Sequence, residues 1–342
     1  MTPRCIGLPL TLVLLALTLF APGLHAQGVV NVYTSRHYDT DAELHGLFTQ
    51  KTGIRVNSIE GNADELLARM RNEGDLSPAD VFVAVDAGRL QKAVDQGVFT
   101  PFESDVVEQN IPDFMRHDQG LYIGLSKRVR VLYLSDRVAS DFVTTYADLA
   151  DPRLKGKVLI RSSGNVYNQS LLASFIANYG QADTEAWARG VVDNMARVPQ
   201  GGDTSQIRAL AAGVGDVAVG NHYYFARMLV LGDASDKAAA QTVRLVFPDQ
   251  QGRGAHTNIS GIGLIKTAPN RDNAIRYIEF LTTPEAQAIY ALKNFEYPAV
   301  EGLELPEVLK SFGEFKSDTL NAAELGRYNR DAVEAMDRAG WR

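Results

Sequence analysis

The structural pattern of the chain is set between Val29 and Ile59, in the sequence VVNVYTSRHYDTDAELHGLFTQKTGIRVNSI. It opens with the β-branched run VVNVYTS, continues with a polar periodic segment to Thr52 and ends with a second extended run, IRVNSI. A further helical stretch, ADELLARMRNEG, leads to ADVFVAV at residues 79–85. Strands and helices that alternate through short connections are typical of a parallel sheet with helices on its faces. We therefore predict an α/β fold.

The same alternation returns in the second half of the chain. GKVLIRSS precedes helices predicted over 166–179 and 183–194, and DVAVG precedes another helix. Between the halves, YIGLSKRVRVLYLS at residues 122–135 consists of two extended runs separated by charges, which indicates chain passing from one lobe to the other. ISGIGLI at 259–265 is typical of a strand that returns. Two α/β lobes joined by such crossings predict a cleft, with ligands bound where strands end and helices begin.

These patterns give a domain assignment. We predict a first lobe from residues 27–128 and 254–300, and a second lobe from residues 129–253 and 301–342. The expected architecture is a two-lobed α/β fold with mixed, mainly parallel sheets and a cleft between the lobes.

The first 26 residues have the layout of a secretory signal peptide. Arg4 precedes an apolar run over residues 6–21, and LHA ends in the small residue Ala26. The run is shorter than the roughly 20 residues that a bilayer span requires. We expect cleavage near Ala26 and an exported, periplasmic protein, with a retained N-terminal anchor as the alternative.

Composition excludes several classes of site. Cys5 is the only cysteine and precedes the apolar run, so the processed chain can form no disulfide, zinc-thiolate site, thiolate-bound cluster or cysteine nucleophile. The chain has 34 Lys and Arg against 41 Asp and Glu, a formal net charge of −7, which argues against nucleic acid and anionic lipid as partners. The nucleotide-binding, hydrolase and metalloprotease motifs GxxxxGK[ST], GxGxxG, GxSxG and HExxH do not occur. We therefore predict no enzymatic activity.

Tyrosines recur at three predicted strand-to-helix turns. Tyr223 and Tyr224 follow the strand DVAVG, with Asn221 as the expected helix cap. Tyr167 opens the helix after KVLIRSS, and the turn after VVNVYTS carries His37 and Tyr38. An adjacent pair of tyrosines alone is weak evidence for a site. Three strand-to-helix turns that each carry tyrosine or histidine on the cleft side are stronger evidence.

Phenol oxygens at these turns favour a hard, trivalent cation such as Fe(III). A metal ion can deprotonate its own ligands, and helix N-termini favour an anionic oxygen. Three phenolates would neutralise the ion, and a fourth phenolate together with an imidazole would complete five ligands. His222 adjoins the tyrosine pair, but successive helix residues diverge by roughly 100°, so we expect it to face away. The remaining histidines, His45, His117 and His256, are expected to be structural.

Two other hypotheses stay open from the residues alone. The first is an organic cation or carboxylate held by stacked tyrosines in the same fold. The second is an exported hydrolase with a site that carries no recognised motif.

The chain resembles the periplasmic ferric-ion-binding proteins that deliver iron to ABC importers, class II of the binding-protein fold. The resemblance rests on VYTSRHYDTD, TGIRVNSIEGNADELLARM, SPADVF, GLSKRVRVLYL, DPRLKGKV, RSSGNVYNQSLLASFI and GNHYYFARM, in order over nearly the whole processed chain. It implies Fe(III) as the transported ligand and an inner-membrane ABC permease as the partner, and we expect a monomer. It also implies a metal site formed by His37, Tyr38, Tyr167, Tyr223 and Tyr224.

One branch of that family has a glutamate after the PADVF strand and a phosphate anion on the metal. Val85 occupies the corresponding place here, so we expect no such carboxylate. The chain is more similar to the branch in which protein ligands largely or wholly replace the external anion, with water or carbonate open as a sixth ligand. Arg36 and Arg161 lie near the ligand turns. One interpretation is that these arginines hold an anion or stabilise a phenolate. The favoured interpretation is that they are solvated surface charges.

Overall fold

The structure, a computed structural model, describes residues 28–36 and 38–342. The predicted signal peptide with its cleavage point, and the predicted ligand His37, lie outside the described residues. The strands are β1 (Val29–Thr34), β2 (Arg55–Glu60), β3 (Val81–Val85), β4 (Tyr122–Ser135), β5 (Val158–Leu159), β6 (Val217–Asn221), β7 (Val243–Val246), β8 (Thr257–Leu264) and β9 (Tyr297–Pro298).

The α-helices are α1 (Asp39–Thr52), α2 (Ala63–Glu73), α3 (Ala87–Asp95), α4 (Asp105–Asn110), α5 (Val166–Tyr179), α6 (Gln181–Asn194), α7 (Asp203–Ala211), α8 (His222–Leu231), α9 (Ala234–Gln241), α10 (Arg271–Leu281), α11 (Pro284–Ile289), α12 (Glu307–Lys310), α13 (Ala322–Arg327) and α14 (Asn329–Arg338). Residues Tyr290–Asn294 form a turn of π-helix. Within the described part of the chain, no helix combines the length and the apolarity that a membrane span requires.

Strand β4 is shared by two sheets. Its first part, residues 122–129, pairs with β8 in a sheet of order β2-β1-β3-β8-β4. Its second part, residues 130–135, pairs with β6 and β7 in the other sheet, where β5 pairs with β6. The predicted passage of the chain between lobes at residues 122–135 is therefore one continuous strand.

The predicted two-lobed α/β fold with mixed sheets is confirmed, with more antiparallel pairing than the mainly parallel sheets that we expected. The pairs β1–β2, β1–β3 and β5–β6 are parallel. The pairs that β4 forms with β6, β7, β8 and β9 are antiparallel, as is β3–β8. Because β4 leaves the first sheet and β8 returns to it, these two strands must run in opposite directions.

Separate apolar cores lie on the two sides of the crossing. One core is built on β1, β3 and β8 with helices such as α1 and α3. In the second sheet, Leu132 and Leu134 of β4 face one cluster, whereas Val131 and Tyr133 face another. This alternation is the period of two expected for a strand buried on both faces. The lobe boundaries stay a prediction. Helix α13 lies in a segment that we assign to the second lobe, but its residues Ala322 and Leu325 pack in the first core.

Candidate functional site

The four predicted tyrosine ligands lie at helix N-termini. Tyr38 is the residue before α1, Tyr167 is the second residue of α5, and Tyr223 and Tyr224 are the second and third residues of α8. These helices follow β1, β5 and β6, so each tyrosine is presented at the carboxyl end of a strand. The partial positive charge of a helix N-terminus favours a negative charge on a phenol oxygen.

Arg128 of β4 joins two of these phenols. Its Nη2 donates a hydrogen bond to the hydroxyl of Tyr167 at 3.1 Å and another to the hydroxyl of Tyr223. Its guanidinium carbon lies 4.8 Å from the centre of each of the two rings. The ring centres of Tyr223 and Tyr224 are 4.5 Å apart. The three tyrosines of the second lobe thus form one cluster around a buried cation.

Tyr38 reaches this cluster from the first lobe. Its ring centre lies 5.8 Å from the guanidinium carbon of Arg227, a residue of α8. Burial raises the pKa of Tyr38, and so does its proximity to Tyr167, whereas Arg128 lowers it. All four tyrosines predicted from the sequence are therefore close together, and His37, the fifth predicted ligand, directly precedes Tyr38 in the chain.

The four phenols differ in acidity. Burial raises the pKa of Tyr223 well above its ordinary value and also raises that of Tyr224, and in both cases a charge on Tyr167 adds to the effect. Burial acts on Tyr167 in the same direction, but the Arg128 guanidinium and a hydrogen bond with Tyr223 bring its pKa below the ordinary value. A cation that enters must displace protons from most of these phenols, and Tyr167 is the phenol that loses its proton most readily.

Arg36 is buried, which corrects the favoured expectation of a surface charge. It is 1% exposed, and its guanidinium carbon lies 4.9 Å from the centre of the Tyr38 ring. Asp41 and Glu296 compensate its charge, at 3.3 Å from Nε and 3.2 Å from Nη1 respectively. An arginine can be buried in this way because two carboxylates replace its hydration.

Arg161 is partly exposed and lies beside Tyr167. Its Nη1 is 3.4 Å from a carboxylate oxygen of Asp203, and its guanidinium carbon is 5.6 Å from the centre of the Tyr167 ring. The side chain thus packs on a predicted ligand while it remains in contact with solvent.

Sequence reasoning missed Glu296. This carboxylate is fully buried and accepts hydrogen bonds from Ser126 at 2.6 Å and from Arg36 at 3.2 Å, and its other oxygen lies 3.3 Å from Nε of Arg128. Burial would raise the pKa of Glu296, but Arg36, Arg128 and Ser126 lower it. Two arginines that contact tyrosines of different lobes thus share the negative charge of Glu296. A single acidic residue between Phe295 and Tyr297 was the available signal.

Arg130 of β4 was also missed, and it organises the turn before α8. It bonds Asp203 at 2.9 Å and Asn221 at 3.1 Å, and Asn221 in turn donates to the hydroxyl of Tyr223 at 3.1 Å. Asn221 occupies the cap position, as predicted, but its side chain makes no capping hydrogen bond. Its contacts with Arg130 and Tyr223 replace the expected cap.

The His222 ring packs edge-on against the Tyr223 ring, with the ring centres 5.5 Å apart, and its nitrogens contact backbone groups. Its Nδ1 accepts a hydrogen bond from the backbone N–H of Val129 at 3.2 Å, and its Nε2 lies 2.9 Å from the carbonyl oxygen of Phe295. Across residues 28–36 and 38–342 there is no group of three or more His, Cys, Asp or Glu side chains that could hold a metal ion. The oxygen atoms that the three helix N-termini bring together are those of phenols, which suit a hard, highly charged cation.

Comparisons with known proteins agree with this chemistry. The family model described as bacterial extracellular solute-binding protein matches residues 77–315. Iron uptake protein A1 of Synechocystis sp. (strain ATCC 27184 / PCC 6803 / Kazusa) is 49% identical over 317 residues, which are 92% of this chain and 88% of that protein.

Solved structures give the same result. The Trichodesmium protein in complex with iron and citrate ligands is 49% identical, with a TM-score of 0.90 over 92% of this chain and 100% of that one. The ferric binding protein from Campylobacter jejuni is 36% identical, with a TM-score of 0.86 over 92% and 100% of the two chains. The chain therefore belongs to the family of bacterial extracellular solute-binding proteins, and the relatives named above are iron uptake and ferric-ion-binding proteins.

Proposed function

We propose that this protein binds one ferric ion in the cleft between its lobes, in the periplasm, and delivers it to an inner-membrane ABC permease. The observation that carries the proposal is the convergence of four phenols, from three helix N-termini, around the buried Arg128. The names of the relatives, iron uptake protein and ferric binding protein, support the choice of ion.

The proposed ligands are Tyr38, Tyr167, Tyr223, Tyr224 and His37. A ferric ion with three phenolates is neutral, and a fourth phenolate leaves one negative charge. Arg128 can balance this charge, because its guanidinium donates to two of the phenol oxygens. A phenolate oxygen has lone pairs for both a metal and a hydrogen-bond donor.

Binding is proposed to close the cleft. The first lobe, residues 27–128 with 254–300, would bring Tyr38, and the second, residues 129–253 with 301–342, the other three tyrosines. A ferric ion that bonds ligands of both lobes has a higher affinity for the closed form, so occupancy shifts the population towards it. The permease can then distinguish loaded from empty protein by shape.

Export is proposed to remove residues 1–26. N-terminal sequencing of the protein recovered from a periplasmic fraction checks this, with Gln27 expected as the first residue. A first residue within the apolar run, or recovery in the membrane fraction, would favour the retained anchor.

Iron loading tests the function. Purified iron-free protein is mixed with a ferric chelate and desalted, and bound iron and visible absorption are measured. We expect about one iron per chain and a coloured product, because ferric phenolate absorbs visible light. A colourless, iron-free product would refute the proposal and favour a small organic ligand in the same cleft.

A further inference from the structure

Asp86 has an unusual backbone conformation next to the cleft. It follows β3 and precedes α3, with φ 83° and ψ 128°. In the described part of the chain only three non-glycine residues have positive φ, and Asp86 is one of them. Such conformations are costly for residues with a Cβ atom and persist where the surroundings fix them, often at functional sites.

The Asp86 carboxylate is fully buried and held by three donors. One oxygen accepts from Ser170 Oγ at 2.6 Å and from the backbone N–H of Gly88 at 2.9 Å. The other accepts from Asn258 Nδ2 at 2.8 Å. Both oxygens are therefore engaged by protein groups, which is the arrangement of a residue that holds structure rather than of a metal ligand.

The hydrogen bond from Ser170 to Asp86 joins the two lobes. Asp86 directly follows β3, whose residues Val81–Ala84 lie in the first core, whereas Ser170 lies on α5, whose residues Leu171–Ala173 lie in the second. Because this bond connects elements of different cores, its length depends on how the lobes are placed.

The hydrogen bond between Ser170 and Asp86 lies close to a proposed ligand, Tyr167. Ser170 follows Tyr167 by three positions on α5, so the two side chains are on neighbouring parts of one helix face. Asp86 and Tyr167 also line one small buried void, together with Arg128 and Asn258. A hydrogen bond that holds the N-terminal part of α5 therefore also holds the backbone that carries the Tyr167 phenol.

We propose that Asp86 is a positioning residue that, through Ser170, holds the cleft closed and keeps Tyr167 in place for the ferric ion. The inference rests on the proposed function. Opening of the cleft breaks a charge-assisted hydrogen bond in a buried place, so the bond slows release of the ion.

Ser170→Ala and Asp86→Asn test the inference, because asparagine tolerates positive φ and alanine fits the helix. We measure the rate at which a competing chelator removes iron from the loaded protein. Ser170→Ala should release iron roughly tenfold faster, from the typical strength of a hydrogen bond to a charged group, and Asp86→Asn, whose amide oxygen still accepts from Ser170 without the charge, should release iron faster than the parent but no faster than Ser170→Ala. The matched control is Ser174→Ala: Ser174 is equally buried on α5, but it donates to the carbonyl of Leu171 in its own helix and accepts from Arg253. Its rate should stay within about twofold of the parent rate.

The double variant separates closure from general stability. In iron release, Asp86→Asn combined with Ser170→Ala should be no faster than Ser170→Ala alone, since Asp86→Asn weakens only a bond that Ser170→Ala already removes. The proposal requires an open form of the iron-free protein, in which this bond is broken, so in urea unfolding of the iron-free protein the same two substitutions should be additive. The inference would be overturned if the variants released iron at the parent rate or if their effects on the release rate were additive. It would also be overturned if the two substitutions were equally non-additive in iron release and in unfolding. Failure of the proposed function would be seen in the parent protein, which would then not bind iron. Failure of the inference about Asp86 would be seen only in the variants, while the parent protein still binds iron.

Discussion

The guanidinium of Arg128 lies between two proposed ligands, with Nη2 at 3.1 Å from the hydroxyl of Tyr167. It is a permanent cation, 2% exposed, in a cluster of phenols. Its charge explains why the pKa of Tyr167 is lowered despite burial, whereas burial raises the pKa values of Tyr38, Tyr223 and Tyr224. Arg128 thus favours a negative charge on the Tyr167 phenol.

Replacement of this cation should weaken ferric binding and shift it to higher pH. In Arg128→Met the pKa of Tyr167 rises, so the ion must compete with a more tightly held proton. We expect the affinity to fall by roughly tenfold or more at neutral pH, a loss typical for a removed hydrogen bond to a charged group, and to recover in part at higher pH. Competition with a ferric chelator between pH 6 and 9 measures both effects.

The control for this substitution is Arg330→Met, since the Arg330 side chain is 89% exposed on α14. Its affinity and pH profile should match those of the parent. An Arg128→Met protein with parental affinity throughout the pH range would show that Arg128 does not assist the phenolates.

Removal of single phenol oxygens should change the iron centre and leave the fold intact. Tyr167→Phe and Tyr224→Phe keep the ring, so we expect the visible absorption band to shift or weaken and the iron affinity to fall at least tenfold. Tyr179→Phe is the control, because Tyr179 is 51% exposed at the end of α5. Absorption spectra and chelator competition measure the outcome. Parental spectra in both site variants would exclude these residues as ligands.

Glu296→Gln should destabilise the iron-free protein. The substitution keeps the shape but removes the negative charge that Arg36 and Arg128 share, so two buried guanidinium groups have less charge compensation. Loss of one partner of a buried ion pair typically costs about 3–5 kcal/mol. Urea unfolding measures the free energy. Glu304→Gln is the control, with a side chain 87% exposed, and a Glu296→Gln protein as stable as this control would contradict the expectation.

Buried His256 should make the fold sensitive to acid. Burial lowers the pKa of His256 to about 3, and Arg253 and Arg130 act in the same direction. An unfolded histidine has a pKa of about 6.5, so below that pH the unfolded chain binds a proton that the folded chain does not. The stabilisation is complete above pH 6.5 and is lost as the pH falls towards 3, by about 2 kcal/mol between pH 6.5 and 5.

Unfolding of the iron-free protein at several pH values measures this loss. His256→Gln removes the titrating group, so the free energy of unfolding of this variant should fall less steeply between pH 6.5 and 5. Equal slopes for variant and parent would show that His256 does not cause the acid sensitivity.

The period and length of apolar runs were sufficient to predict the fold class. The helix predicted over 166–179 coincides with α5, and the crossing predicted at 122–135 coincides with β4. Tyr167 and the Tyr223–Tyr224 pair could be placed together because β5 and β6 are parallel neighbours whose carboxyl ends meet at one edge of a sheet, and Tyr38 could be placed opposite them because ligands of two-lobed folds bind between the lobes. These predictions therefore rest on patterns within short segments of the sequence.

The charges behind the tyrosines could not be predicted in the same way. Glu296 and Arg36 are 260 positions apart, and Arg130 and Asp203 are 73 apart, so neither pair leaves a local pattern. Asn221 was predicted as a cap from its type and place, but the buried Arg130 offers its side chain a stronger partner than the backbone does. Long-range ion pairs override local preference at this site.

The position of the iron is the most direct test of the proposed ligand set. Crystals of the ferric-loaded protein are measured on both sides of the iron absorption edge, and the anomalous difference map locates the ion without reference to any assumed ligand. We predict one peak per chain, within bonding distance of the phenol oxygens of Tyr38, Tyr167, Tyr223 and Tyr224 and of the His37 ring. A peak bonded to Glu296 or Asp86, or one away from the tyrosine cluster, would contradict the account.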